Sequence, residues 1–218
     1  FQRLGVAPML ELDAFSNERL RTDPYPYLVV PGFVQGEALE SVLRDFPDIQ
    51  HPGSIPISEV TGGEAYRALL AELQGDAFRR VVADKFGFSL EGFPIMTTVR
   101  GVMREKDGRI HTDSKTKVVT VLLYLNDSWE AEGGNLRVLR DGENIENFVE
   151  EVPPSAGTLM AFKVTDNCWH GHKPVVGKRL SIQMNYLVGE AAKGKHQFFH
   201  RLSAKLKRLF AGSSNAPA

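Results

Sequence analysis

The residues best suited to chemistry in this sequence are a histidine and an aspartate separated by one position, His111 and Asp113. Side chains at positions i and i+2 of an extended strand point to the same face, so an imidazole nitrogen and a carboxylate oxygen would lie side by side. A later segment carries a second histidine pair, His170 and His172. Either could complete a face of two histidines and one carboxylate, and periodicity alone does not choose between them. Three ligands on one face leave about three positions of an octahedral ion open, as in iron(II) sites that activate oxygen.

Further charged residues accompany this set. Arg179 follows nine residues after His170, and this ordered combination is much rarer by chance than a His-x-Asp tripeptide alone. Lys115 and Lys117 follow the tripeptide, where they could attract an anionic substrate, although solvated surface lysines are the simpler interpretation. His172 is either a further contact at the site or an ordinary strand histidine.

The elements that must position these residues are short strands in the second half of the chain. Apolar runs alternate there with turn residues about every ten positions, which favours a sandwich or barrel. Helices precede the strands and do not alternate with them, so we expect a mainly β fold with N-terminal helices packed on one sheet of a double-stranded β-helix, the jelly-roll or cupin-like core. The predicted strands are Ile95–Met103, Val118–Leu125, Asn135–Leu139, Thr158–Phe162, Cys168–Gly171 and Leu180–Val188, the last preceded by a turn at Gly177. The predicted helices are Gln35–Phe46, Glu64–Leu73 and Asp76–Phe86, and loops are predicted over 51–63, 104–110 and 141–151.

Residues 111–187 resemble the 2-oxoglutarate/iron(II) dioxygenase family, and in particular its prolyl-hydroxylase-like branch. The matching motifs are His111-x-Asp113, Val119-Thr120-x-x-x-Tyr124-Leu125-Asn126, Gly133-Gly134-x-Leu136, Gly157-x-Leu159-x-x-Phe162, Trp169-His170-x-x-x-Pro174-Val175-x-x-x-Arg179 and the strand 182–186. In that family the last iron ligand lies four residues before a proline and about nine before an arginine or lysine. His170 satisfies both spacings and His172 neither. Gly101 departs from the pattern, because some prolyl hydroxylases have a tyrosine ten residues before the first histidine ligand.

The resemblance implies a hydroxylase. His111, Asp113 and His170 would hold iron(II), and Arg179 would bind the far carboxylate of the cosubstrate 2-oxoglutarate, because a planar two-pronged donor suits a carboxylate. Tyr124 matches a family tyrosine that bonds the same carboxylate, and Thr120 would line the same pocket. With O2, the enzyme would hydroxylate a C–H bond of a small molecule or protein side chain and release succinate and carbon dioxide. Ascorbate is a candidate reductant.

Composition and charge bound the remaining possibilities. The chain of 218 residues is predicted to fold as one domain over 1–192, with a helical and strand-containing N-terminal region over 1–92 and a core over 93–192. A basic amphipathic helix over 193–211 and a disordered tail over 212–218 are predicted to follow. Residues 1–192 carry a net charge of −7, which offers no broad basic surface for nucleic acid. The single cysteine and the absence of a signal-peptide pattern at the start predict a cytoplasmic protein.

Two other functions fit the same residues. A metal-dependent cupin dioxygenase or isomerase without a cosubstrate would use the three ligands but has no need of Arg179. A non-catalytic binding module would keep the fold but has no need of all three ligands. The predicted C-terminal helix could contact an anionic membrane or a partner protein, although packing on its own domain is the preferred interpretation.

Overall fold

The computed structural model describes residues 8–188, so the predicted basic helix and tail lie outside the described residues. The described chain contains two β-sheets and four α-helices, which confirms the predicted mainly β jelly-roll class; the two sheets face each other without closing into a barrel. None of the described helices is long and apolar enough to cross a membrane. The boundary of the domain at residue 192 stays a prediction.

The helices lie in the first half of the chain, as predicted. They are α1 (Leu12–Asn17), α2 (Gly36–Asp45), α3 (Glu64–Leu73) and α4 (Asp76–Phe86). A glycine lies at each end of the last helix: α4 begins after Gly75, and Gly87 adopts a left-handed conformation (φ 74°) that ends the helix. Both α3 and α4 have the bounds expected from their apolar spacing.

Nine strands form the two sheets. The larger sheet has the order β1-β7-β4-β9-β3-β2 and the smaller sheet the order β6-β5-β8. The strands are β1 (Tyr27–Val30), β2 (Ile55–Pro56), β3 (Ile95–Met103), β4 (Lys117–Tyr124), β5 (Leu136–Leu139), β6 (Phe148–Val152), β7 (Leu159–Lys163), β8 (His170–Gly171) and β9 (Gly177–Leu187).

Alternation along β4 divides the core into two. Val119, Val121 and Leu123 belong to the buried cluster that joins the larger sheet to the helices. Tyr124, on the opposite face, belongs to the cluster between the two sheets. A period of two therefore directs polar residues of the same strand, such as Thr120, into the space between the sheets.

The structure corrects three local predictions. Residues 148–152 form β6, although 141–151 was predicted as a loop; the strand lies at the edge of its sheet and its glutamates hide the apolar alternation. The predicted loop 51–63 contains β2 and a short 3-10 turn, Ile57–Glu59. Gly177 was predicted as a turn, but it is the first residue of β9 and pairs with Met103.

Candidate metal centre and cosubstrate cavity

Three side chains converge between the sheets. His111, Asp113 and His170 each place one ligand atom within 4.8 Å of the other two. The backbone holds the two histidines together, because each accepts and donates a hydrogen bond with the other at 3.0 Å in an antiparallel bridge. The structure thus brings His170 next to His111 and Asp113, although it follows Asp113 by 57 positions in the sequence. His111 is exposed at the edge of the site, whereas the other two are buried.

Both histidines present the same ring nitrogen to this centre. Nδ1 of His111 lies 2.8 Å from the carbonyl of Arg109, and Nδ1 of His170 lies 2.8 Å from the carbonyl of Cys168. A carbonyl can only accept, so Nδ1 of each ring donates, which leaves Nε2 as the nitrogen whose lone pair a neutral ring would offer to a metal. Burial, followed by the charge of His111, lowers the pKa of His170 to about 4, which keeps its ring neutral. Both rings are therefore oriented and protonated as metal ligands require.

The carboxylate of Asp113 is held from both sides. Its Oδ1 accepts a hydrogen bond from Nζ of Lys117 at 2.8 Å, and its Oδ2 accepts one from the hydroxyl of Thr120. The Thr120 hydroxyl in turn accepts from the Asn185 amide at 2.8 Å. Burial alone would raise the pKa of Asp113, but Lys117, His170 and these hydrogen bonds lower it to about 2. Asp113 is thus an ionised carboxylate held in a fixed position, as an oxygen ligand of a metal would need to be.

A cavity of about 100 Å³ opens beside the three residues. Arg179, which is 5% exposed, lines it and donates from Nε to the carbonyl of Gly134 at 2.9 Å. Its guanidinium lies over the ring of Tyr124, with 5.1 Å between Cζ and the ring centroid. Nη2 of Arg179 and the hydroxyl of Tyr124 are both buried without a hydrogen-bond partner among the described residues. Buried donors are rarely left unpaired, so these two mark a place for an acceptor.

The structure adds residues that the pattern left without a role. Lys117, for which a solvated position was the simpler interpretation, is 9% exposed and paired with Asp113. Lys115 does lie at the surface, where it pairs with Asp166. The Asn185 amide donates a hydrogen bond to the Thr120 hydroxyl, which in turn bonds Asp113. Asn185 lies six residues after Arg179 on β9, and this even spacing could have indicated that both side chains lie on the same face of the strand. His172 lines the cavity but is outside the cluster of three ligand atoms.

Comparison with known proteins agrees with this arrangement. A family model described as the 2OG-Fe(II) oxygenase superfamily matches residues 101–187, which include all three clustered residues and Arg179. Residues 101–187 belong to the 2OG-Fe(II) oxygenase superfamily. No curated protein sequence matches the chain.

Solved structures share the fold of this chain at low identity. A Pseudomonas putida prolyl-4-hydroxylase has a TM-score of 0.54 and 18% identity over 84% of this chain and 96% of that one. A 2OG-Fe(II) oxygenase family oxidoreductase from Burkholderia pseudomallei has a TM-score of 0.52 and 13% identity, with coverages of 84% and 93%. HygX from Streptomyces hygroscopicus, solved with nickel and 2-oxoglutarate bound, has a TM-score of 0.51 and 14% identity, with coverages of 75% and 83%. At these identities the similarity concerns the fold.

The cavity fits iron(II) and 2-oxoglutarate, the cofactors of the superfamily that residues 101–187 match. Two neutral imidazoles and one carboxylate are the donor set of iron(II) oxygenases and leave open positions on the ion. The unpaired Nη2 of Arg179 and the unpaired hydroxyl of Tyr124 supply two donors for a carboxylate in the same cavity. A dicarboxylate with one end at a bound metal and the other at these donors would engage both parts of the cavity.

Proposed function

We propose that this oxygenase hydroxylates an unactivated C–H bond of a small molecule or a protein side chain, with release of succinate and carbon dioxide. His111, Asp113 and His170 hold iron(II), while Arg179 and Tyr124 bind the far carboxylate of 2-oxoglutarate. Thr120 lines this pocket and fixes Asp113. O2 is the oxidant, and bound iron(II) and 2-oxoglutarate would supply the chemistry that activates it: oxidation of 2-oxoglutarate to succinate and carbon dioxide provides two electrons, and the C–H bond provides the other two.

The observation that carries the proposal is the pair of unpaired donors beside the three ligand atoms. A cupin enzyme without a cosubstrate has no use for a buried guanidinium aimed into its metal cavity. Arg179 is 5% exposed and makes one side-chain hydrogen bond among the described residues, so its burial without an anion is costly. A bound carboxylate offsets that cost, which explains why the cavity suits 2-oxoglutarate.

The protein residues contribute binding, orientation and exclusion of water. The carbonyls of Arg109 and Cys168 fix the two imidazole rings, and Lys117 and Thr120 fix the carboxylate of Asp113. Burial raises the pKa of Tyr124 against the opposing effect of Arg179, so its hydroxyl remains a donor. Such preorganisation places the reacting groups before O2 enters and reduces the entropic cost of reaction.

An anaerobic titration tests the proposal. Iron(II) and 2-oxoglutarate added to the protein should produce a weak visible charge-transfer band that needs both components. Arg179→Gln should lower the affinity for 2-oxoglutarate but keep iron binding. Asp113→Ala should lose iron binding and, with it, the band. Lys178→Gln, which removes an exposed cation next to Arg179, is the matched control and should behave like the natural protein.

Other outcomes identify the alternatives. Iron binding with no response to 2-oxoglutarate would favour the cupin enzyme that works without a cosubstrate. Failure to bind iron at all would leave the non-catalytic module. A band that forms and then gives 2-oxoglutarate-dependent succinate release on admission of O2 would support the oxygenase and justify a substrate screen.

A further inference from the structure

A second guanidinium, that of Arg100, lines the same cavity as Arg179. Arg100 lies on β3 opposite Ser181 of β9, and Ser181 also lines the cavity. The pairing of β3 with β9 is irregular immediately after Arg100. At the next residue, Gly101, a Cβ would overlap the side chain of Ile49 in the helix-side core. The strand therefore directs Arg100 into the cavity and its neighbour away from it.

The charge of Arg100 has no anionic partner among the described residues. Its one side-chain hydrogen bond is to the sulfur of Met103, at 3.7 Å. A nearby carboxylate, that of Asp107, is engaged by Arg104 through Nη2 at 3.0 Å, Nε at 3.2 Å and the backbone N–H at 2.8 Å. Arg104 and Asp107 thus satisfy each other and leave Arg100 unmatched.

The surroundings of Arg100 make this unmatched charge costly. Burial lowers the pKa of its guanidinium, Asp107 opposes the change, and Arg179 and Arg104 add repulsion. Two guanidinium groups of like charge in one cavity raise the electrostatic potential there and attract anions. A bidentate oxyanion is the partner that a guanidinium binds best.

The proposed cosubstrate does not provide this partner. One of its two carboxylates belongs with the metal ligands, and the other with Arg179 and Tyr124. An anionic partner for Arg100 would therefore have to be a third oxyanion in the cavity, in addition to the two carboxylates of 2-oxoglutarate. A neutral prolyl side chain has none to offer, although the fold is similar to that of prolyl hydroxylases.

We propose that Arg100 binds an oxyanion of the substrate, a carboxylate or a phosphate, and so selects an anionic substrate. This inference rests on the proposed function, because it assigns Arg179 and Tyr124 to 2-oxoglutarate. Binding of the oxyanion at Arg100 would hold a neighbouring C–H bond of the substrate in the cavity that His111, Asp113 and His170 border. Arg100 is then a specificity-determining residue of this oxygenase.

The test uses inorganic phosphate and acetate as probes. Each is titrated by calorimetry into the iron(II)- and 2-oxoglutarate-saturated protein under anaerobic conditions. At least one of them should bind, and Arg100→Gln should weaken that binding roughly 10- to 100-fold, the range expected for a charge-assisted hydrogen-bonded pair. The anion that binds identifies the carboxylate or the phosphate. The affinity for 2-oxoglutarate, read from the charge-transfer band, should stay unchanged.

Two further variants control the result. Lys178→Gln removes a nearby exposed charge from the same sheet and should leave anion binding intact. Arg100→Lys keeps the charge without the two-pronged donor; it should bind the anion less tightly than the natural protein, and it replaces Arg100→Gln if that variant does not fold.

Three results would overturn the assignment: no binding of either anion, equal losses in Arg100→Gln and Lys178→Gln, or a loss of 2-oxoglutarate affinity in Arg100→Gln. The last would place Arg100 in the cosubstrate site. Failure of the proposed function is distinguishable, because it would appear as absence of the charge-transfer band in the natural protein. Anion binding that depends on Arg100 would then persist without any response to 2-oxoglutarate.

Discussion

Replacement of Tyr124 by phenylalanine should have opposite effects on stability and on cosubstrate binding. The ring of Tyr124 is fully buried, and its hydroxyl has no partner among the described residues. A buried unsatisfied hydroxyl costs roughly 1–3 kcal/mol, some of which is regained when the group is removed without a change in shape. Tyr124→Phe should therefore stabilise the cofactor-free protein by about 1 kcal/mol.

The same hydroxyl is expected to donate to the far carboxylate of 2-oxoglutarate. A hydrogen bond to a charged group is worth roughly 1.5–3 kcal/mol, which corresponds to a loss of about 10- to 100-fold in affinity when the donor is removed. Urea unfolding of the cofactor-free protein measures the first effect. Anaerobic titration of the iron-loaded protein with 2-oxoglutarate measures the second.

Tyr66→Phe is the matched control. The hydroxyl of Tyr66 is also buried and has no hydrogen-bond partner in the part of the chain that the structure describes, but Tyr66 belongs to the helix-side core and packs against Phe46. It should reproduce the gain in stability and leave the affinity for 2-oxoglutarate unchanged. The reasoning would be refuted if Tyr124→Phe lowered the stability of the cofactor-free protein, or if it bound 2-oxoglutarate as tightly as the natural protein.

Two other perturbations test the support of the site. Thr120→Val removes the hydroxyl between Asp113 and Asn185, so we expect a stability loss of roughly 1–3 kcal/mol and, by titration, iron binding about 10- to 100-fold weaker. Thr120→Ser keeps the hydroxyl and should recover both properties. Equal losses in the serine variant would contradict this role of the hydroxyl. Burial, followed by a nearby guanidinium, lowers the pKa of His172 from 6.5 to about 4, so the unfolded chain takes up this proton first as the pH falls. The contribution of His172 therefore leaves the free energy of unfolding at its highest above pH 6.5. Between pH 6.5 and pH 4 this free energy should decrease by up to about 1.4 kcal/mol per pH unit. Urea unfolding should show a smaller slope in His172→Gln and an unchanged slope for the exposed His51→Gln, and equal slopes in the two variants would argue against a buried neutral His172.

Much of the fold follows from local pattern. The bounds of α3, α4 and β3 agree with those read from the sequence, because apolar spacing and flanking glycines are local signals. β6 could not be predicted in the same way. Glu151 pairs with Arg137 of β5, and Glu150 pairs with Arg21 near the start of the described chain, so the reason for its extended form lies in other parts of the chain.

The sequence by itself determined the chemistry that is available at the site. The spacing of His111 and Asp113, and the order of His170 and Arg179 after them, are read directly from the sequence. These relations are local or depend on order along the chain. They can therefore be predicted without any knowledge of how the two sheets pack. The strand expected at His111 and Asp113 does not form, because His111 makes only an isolated β-bridge to His170 and Asp113 lies outside the strands.

Only the tertiary structure decided how the charges around the site are matched. A turn from Ser114 returns Lys117 to Asp113, while Asp107 is satisfied by Arg104 and leaves Arg100 with an unpaired charge in the cavity. Composition counts cations and anions but does not pair them. Pairing depends on how the backbone turns bring two side chains within a few ångströms of each other, and the energy of a charge depends on its burial, so both are properties of the folded chain.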